Sequence, residues 1–74
     1  MDKFALDAGL LAAHESGDHA ELVRLYLKAS QGAQDDAASA FYLTHAYVFA
    51  LEAGLAEAAD IRAQLVTYGA EPDP

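Results

Sequence analysis

Cysteine is absent from this chain and basic residues nearly so. The first absence excludes disulfides, iron–sulfur ligation and thiol catalysis. It also favours a reducing, cytoplasmic setting, because small secreted domains are usually stapled by disulfides. The second leaves Lys3, Arg24, Lys28 and Arg62 against twelve acids, a formal charge of −8. Binding to nucleic acid or to an anionic membrane surface rests on Lys and Arg. Arg24 and Lys28 fall one turn apart, but two bases make no footprint. No nucleic acid and no membrane are expected as partners. Solubility is the plain reading of the acid excess, and a basic partner surface is the other. The opening Met1-Asp2-Lys3-Phe4 has no basic region followed by an apolar signal segment. Proline occurs only at 72 and 74, where it forbids a helix from continuing.

Charge is also missing from one long stretch. Residues 37–51 carry none, and twelve of these fifteen are hydrophobic, with four of the seven aromatics. A bilayer span needs about 20 apolar residues, so the block is too short to cross one. As a helix it is apolar all round, and such a helix seeks burial on every side. A chain of 74 residues is one domain at most and has little body to bury it in. Phe41, Tyr42, Tyr47 and Phe49 cannot all be internal to four short helices. Contact with another chain through this block is the expectation that follows.

The apolar spacing predicts four helices, at about 3–16, 18–31, 36–53 and 55–68, with a loose tail at 70–74. In the first, Leu6, Leu10 and Ala13 recur at helical spacing. Gly9 sits mid-helix at a cost of about 1 kcal/mol relative to Ala, which points to a close neighbour. Gly17 ends that helix, and Asp18 followed by Glu21 has the spacing of a capping box. Leu22, Leu25, Tyr26 and Ala29 form the stripe of the second helix. Asp35 and Asp36 cap the third, which is the uncharged block, and Gly54 stops it. Leu55, Ala58, Ile61, Leu65 and Tyr68 share one side of the fourth, which Gly69 terminates. Few β-branched residues and no clean alternation leave no strand reading.

Sliding the chain by 37 residues places Phe4 on Phe41, Leu6 on Leu43, Leu11 on Val48, Ala13 on Ala50, Glu15 on Glu52 and Gly17 on Gly54. Such self-similarity arises when helix–turn–helix units stack. The stretch Phe41-Tyr42-Leu43-Thr44-His45-Ala46-Tyr47, then Glu52-Ala53-Gly54, then Ala58-Ala59, resembles a tetratricopeptide or Sel1-like hairpin. The resemblance covers residues 4–69 as two units. It implies an all-α fold of four antiparallel helices arranged as two stacked hairpins. It also implies a peptide-holding groove lined by the first helix of each unit. By that resemblance the groove positions are Phe4, Asp7, Leu11, His14 and Glu15, and then Phe41, Thr44, Val48, Leu51 and Glu52.

Helical-wheel arithmetic divides the third helix independently. Leu43, Ala46, Tyr47 and Ala50 share one side, suited to tight packing within the chain. Phe41, His45, Val48 and Glu52 share the other, a mixture that tolerates water when unbound. Adding Phe49, the candidate protein-binding residues are Phe4, Leu11, Phe41, Thr44, His45, Val48, Phe49 and Glu52.

Reaction chemistry finds little purchase. No two of His14, His19 and His45 stand at metal-ligand spacing on one helix, and there is no HExxH motif. His14 and His19 are expected to be solvated and His45 half-buried. Thr44 and His45 are adjacent and so diverge by about 100° on a helix, which is no nucleophile–base pair. Ser39 falls in a first helical turn, where local backbone bonding explains it. The carboxylate pairs Asp35/Asp36, Glu57/Asp60 and Glu15/Asp18 lie at helix ends, where the dipole explains them. No enzyme activity, cofactor or metal is expected. The expectation is a protein–protein interaction module or small adaptor, possibly self-associating as a homodimer. Its alternatives are a structural helical domain without a sticky face, or a binder of a small apolar ligand near Gly9, Phe4, Tyr26 and Tyr47.

Overall fold

A computed structural model describes residues 3–69, except for the side chain of Lys3. The expected tail at 70–74 lies outside the described residues. Four helices follow one another: α1 (Lys3–Ser16), α2 (His19–Gln31), α3 (Asp36–Ala53) and α4 (Glu57–Thr67). Among the described residues there is no strand. The fold is all-α, with consecutive helices antiparallel.

Local chemistry sets the breaks. The Asp18 carboxylate accepts from the Glu21 backbone N–H at 3.1 Å, and that of Asp35 accepts from Ala38 N–H at 2.8 Å. Each satisfies one orphan donor of its helix start. α1 and α3 end alike. Gly17 and Gly54 adopt left-handed φ values of 68° and 66°. The next N–H then reaches back to a carbonyl in the last turn: Asp18 to Ala13 at 3.0 Å, Leu55 to Ala50 at 2.9 Å. This is the Schellman closure, and it needs a residue without Cβ penalty.

Three boundaries shift from the expected ones: α2 begins one residue later, at His19, α4 ends one residue earlier, at Thr67, and the largest shift is at the start of α4. α4 begins at Glu57, two residues later than the apolar spacing indicates. Leu55 is spent on the Schellman closure, and Ala56 offers no side-chain cap. A tighter turn, with Ala58 N–H on the Leu55 carbonyl at 3.2 Å, joins the two helices.

Among the described residues, backbones approach closely only between consecutive helices, most extensively between α2 and α3. The Cα envelope measures 35 × 29 × 12 Å, a thin slab. Two apolar clusters fill it. Ala13, Leu22 and Leu25 join α1 to α2, while Val23, Leu43, Ala46, Ala50, Ile61 and Leu65 join α2, α3 and α4. Gly9 serves the first cluster, since a Cβ there would stand 3.2 Å from Leu25 Cδ1. Tyr26 and Phe49 border both clusters and connect them. With α2 and α4 packed on α3 and no other described helix packed on its remaining side, one face of α3 is exposed among the described residues.

The two polar residues in the core are serines. Ser30 Oγ donates to the Ser39 carbonyl at 3.0 Å and lies 2.7 Å from Ser39 Oγ. Ser39 Oγ in turn donates to the Tyr68 hydroxyl at 3.2 Å. The expectation of purely local bonding for Ser39 is therefore corrected. It is buried at the α2–α3 contact and links three helices, because Ser30 from another helix arrives opposite it.

Candidate functional site

The two sides of α3 separate as the wheel predicts. Leu43, Ala46 and Ala50 are at most 1% exposed. Tyr47 is half-buried against the same cluster. On the opposite side Phe41 is 58% exposed, Val48 44% and Leu51 55%. Thr44 and Glu52 are exposed there too, and His45 is half-buried. Burying alanines let the neighbouring helices come close, which leaves no room for the larger residues to turn inward.

Thr44, His45, Val48 and Phe49 line a shallow, almost wholly apolar hollow of about 250 Å³. All four are residues singled out from the sequence. The pairs Thr44/Val48 and His45/Phe49 are two adjacent rows at i, i+4 spacing. The hollow is the groove between these rows, the feature into which a row of side chains from another helix packs. Backbone-directed bonds keep the rows in place. Thr44 Oγ1 donates to the Ala40 carbonyl at 2.9 Å, and His45 Nδ1 lies 2.9 Å from the Phe41 carbonyl. The Phe41 ring leans on His45, with centroids 4.5 Å apart.

Phe49 lines the hollow and also packs inward against both core clusters. Its ring stacks on Tyr26 of α2 at 5.8 Å and 11°, and the edge of His14 from α1 meets it at 5.5 Å. His19 tilts against it at 5.7 Å. One wall of the hollow is thus held from behind by three residues of α1 and α2. His14 is exposed, as expected, and the His19 side chain is 41% accessible, but both also make contacts. His14 Nε2 also lies 3.3 Å from the Tyr26 hydroxyl, and His19 Nε2 lies 3.4 Å from Glu52. His45 also stacks on Tyr26, at 5.1 Å. Burial, and then the nearby Tyr42, push the Tyr26 phenol above its ordinary value. This ring cluster was invisible along the chain, since its members come from three helices. The alternation of His and aromatic residues was its only trace.

Phe4 and Leu11 of α1 are exposed at 88% and 61%. They repeat the orientation of Phe41 and Val48 on their own helix. Of the pairs offset by 37 residues, Ala13 and Ala50 are buried, Gly17 and Gly54 left-handed, and Glu15 and Glu52 exposed, whereas Leu6 is half-buried and Leu43 fully buried. Of the residues expected to surround an apolar ligand, Phe4 stands in water, while Tyr26 and Tyr47 pack on the core. A larger open cleft of about 780 Å³ lies elsewhere, between Leu6 of α1, Tyr42 of α3 and the end of α2 with the 32–35 loop. Lys28, Gln34 and Asp35 give it a mixed lining, and no sequence signal pointed to it.

Charge is sparse around the α3 face. Arg24 is engaged elsewhere, in a two-pronged bond to Glu21 at 2.5 and 2.6 Å that holds that carboxyl below its usual range. Among the described residues no three His, Asp or Glu side chains converge as metal ligands, and no helix is long and apolar enough to cross a membrane. No protein-family model, curated protein or solved structure matches the chain.

Proposed function

We propose that this chain is a protein–protein interaction module that docks a partner on the outer face of α3. The observation that carries this reading is the hollow between Thr44, His45, Val48 and Phe49, flanked by the exposed Phe41 and Leu51. Contiguous apolar surface of this kind on a small soluble chain marks interaction sites. The backing of Phe49 by Tyr26 and His14 supports it, because a preformed hollow loses less freedom on binding than a loose one. The matched environments of the Ala, Gly and Glu pairs 37 apart support a description as two similar hairpins, resembling tetratricopeptide or Sel1-like units.

The test is affinity capture with the intact protein from its own cells, beside a Phe41→Glu/Val48→Asp variant. The expected outcome is at least one protein retained by the parent and lost from the variant, with unchanged helicity and melting of the variant. Identical captures by both proteins refute the reading.

A further inference from the structure

We infer that the occupant of the α3 face is a second copy of this chain, joined through an antiparallel, two-fold contact of α3 on α3. This rests on the docking reading above and names its partner. The exposed residues of α3 follow one spacing. Ala37, Phe41, Thr44, Val48 and Leu51 are all exposed, and they succeed one another at steps of four, three, four and three. That is the a/d spacing of a seam between two helices. It runs for two heptads, about 21 Å, which suits one helix–helix contact and falls short of a free-standing coiled coil. The hollow lies on this seam, since Thr44 and Val48 belong to both.

Charge selects the occupant. The seam carries none, and the positions beside it, Ala38, Ala40, His45 and Tyr47, hold no acid and no Lys or Arg. Charges at such flanking positions are what direct one helix to a different one. A foreign helix finds nothing there to match. The same stripe laid against itself meets no like charge, and a two-fold contact covers both apolar rows at once. Asp36 does not interfere, because it lies about 140° around the helix from Phe41. Asp35 lines the cleft beside Lys28 instead. Glu52 flanks the end of the seam, 3.4 Å from His19, and sets the direction. Parallel pairing brings Glu52 beside its own copy. Antiparallel pairing sets Phe41 against Leu51 of the second copy and Thr44 against its Val48. The two Glu52 side chains then stand about 18 Å apart along the axis, beyond the screening length of about 8 Å. α1 repeats the spacing with Phe4 and Leu11 but carries Asp7 where α3 has Thr44, so its stripe is not suited to pairing with itself. Three turns of one helix fall short of the roughly 800 Å² per partner of a standard interface, and a weak dimer is expected.

The experiment is sedimentation of the full chain from about 5 to about 500 μM, with cross-linking to read the direction. Expected is a monomer–dimer equilibrium in the parent and a monomer throughout for Val48→Asp, its helicity and melting at low concentration unchanged. The dimer should tighten in about 0.5 M salt, which screens the repulsion between two chains of formal charge −8. The chain has no cysteine, so single ones can be introduced cleanly. Phe41→Cys and Leu51→Cys proteins, mixed and oxidised, should give mainly the mixed disulfide. Each position stands about 15 Å from its own copy along the axis, and a disulfide spans Cα atoms no more than about 7 Å apart. A parent that stays monomeric, or a dimer indifferent to Val48→Asp, overturns the second-copy inference and leaves the docking reading to the capture comparison. A Val48-dependent dimer that cross-links mainly through like positions overturns the antiparallel arrangement.

Discussion

Val48 and Phe49 are neighbours in the chain with opposite expected responses to mutation. Removing a fully buried Phe to Ala costs about 3–5 kcal/mol. Phe49 is half-buried, so roughly half of that applies, about 2 kcal/mol. Its stack on Tyr26 and its edge contact with His14 add about 0.5–1 kcal/mol together, partly overlapping the burial term. The expected cost of Phe49→Ala is then about 2–3 kcal/mol, a large part of the roughly 4–10 kcal/mol available to a chain of this size. The loss should also be local. The α1 and α3 backbones do not approach one another, and α1 meets α3 through His14 on Phe49. Urea unfolding followed by far-ultraviolet circular dichroism reads the total, and amide hydrogen exchange reads its location. Phe49→Ala should release protection in α1 more than in α4. Val48→Asp, at an exposed position, should stay within about 0.5 kcal/mol of the parent. If Phe49→Ala also stays within that margin, or α1 protection is unchanged, the rings touch without holding the helices together.

Two further outcomes follow from the core. Ser39→Ala should cost about 1 kcal/mol, because Ser30 Oγ keeps the residue 39 carbonyl and is not orphaned. Urea unfolding of Ser30→Ala, Ser39→Ala and the double variant should show the double costing about 0.5–1 kcal/mol less than the sum, whereas additive costs would deny the coupling. The Tyr26 phenol, raised by burial and by Tyr42, favours the neutral form in the folded chain. Its contribution is full below the unfolded value of about 10 and is lost as pH climbs through the higher folded value. Tyrosinate absorbance should show one late-titrating phenol that Tyr26→Phe removes, and the variant's stability should fall less steeply in that range.

The features readable from the sequence were those set by neighbours in the chain. Capping by Asp18 and Asp35, termination at Gly17 and Gly54 and the two sides of α3 all depend on residues within a turn or two. Phe49 shows where this reasoning stops. It lies at the margin between the two sides of α3, and only Tyr26, His14 and His19 arriving from other helices draw it inward. Ser39 is the same case in polar form. A serine in a first turn looks local until Ser30 and Tyr68 come to meet it. The start of α4 eluded the apolar pattern because backbone closure, which leaves no side-chain signature, claimed Leu55.

Alanines and leucines along the α2–α3 seam define depth but not axial position. A slip of one turn, about 5.4 Å, still sets apolar against apolar. The hydroxyls of Ser30, Ser39 and Tyr68 do not tolerate that slip, since their reach is a single bond length. They work as an index pin, converting a surface on which helices can slide into one with a single stop. The alignment of the hollow on α3 relative to its backing residues on α2 is inherited from that stop.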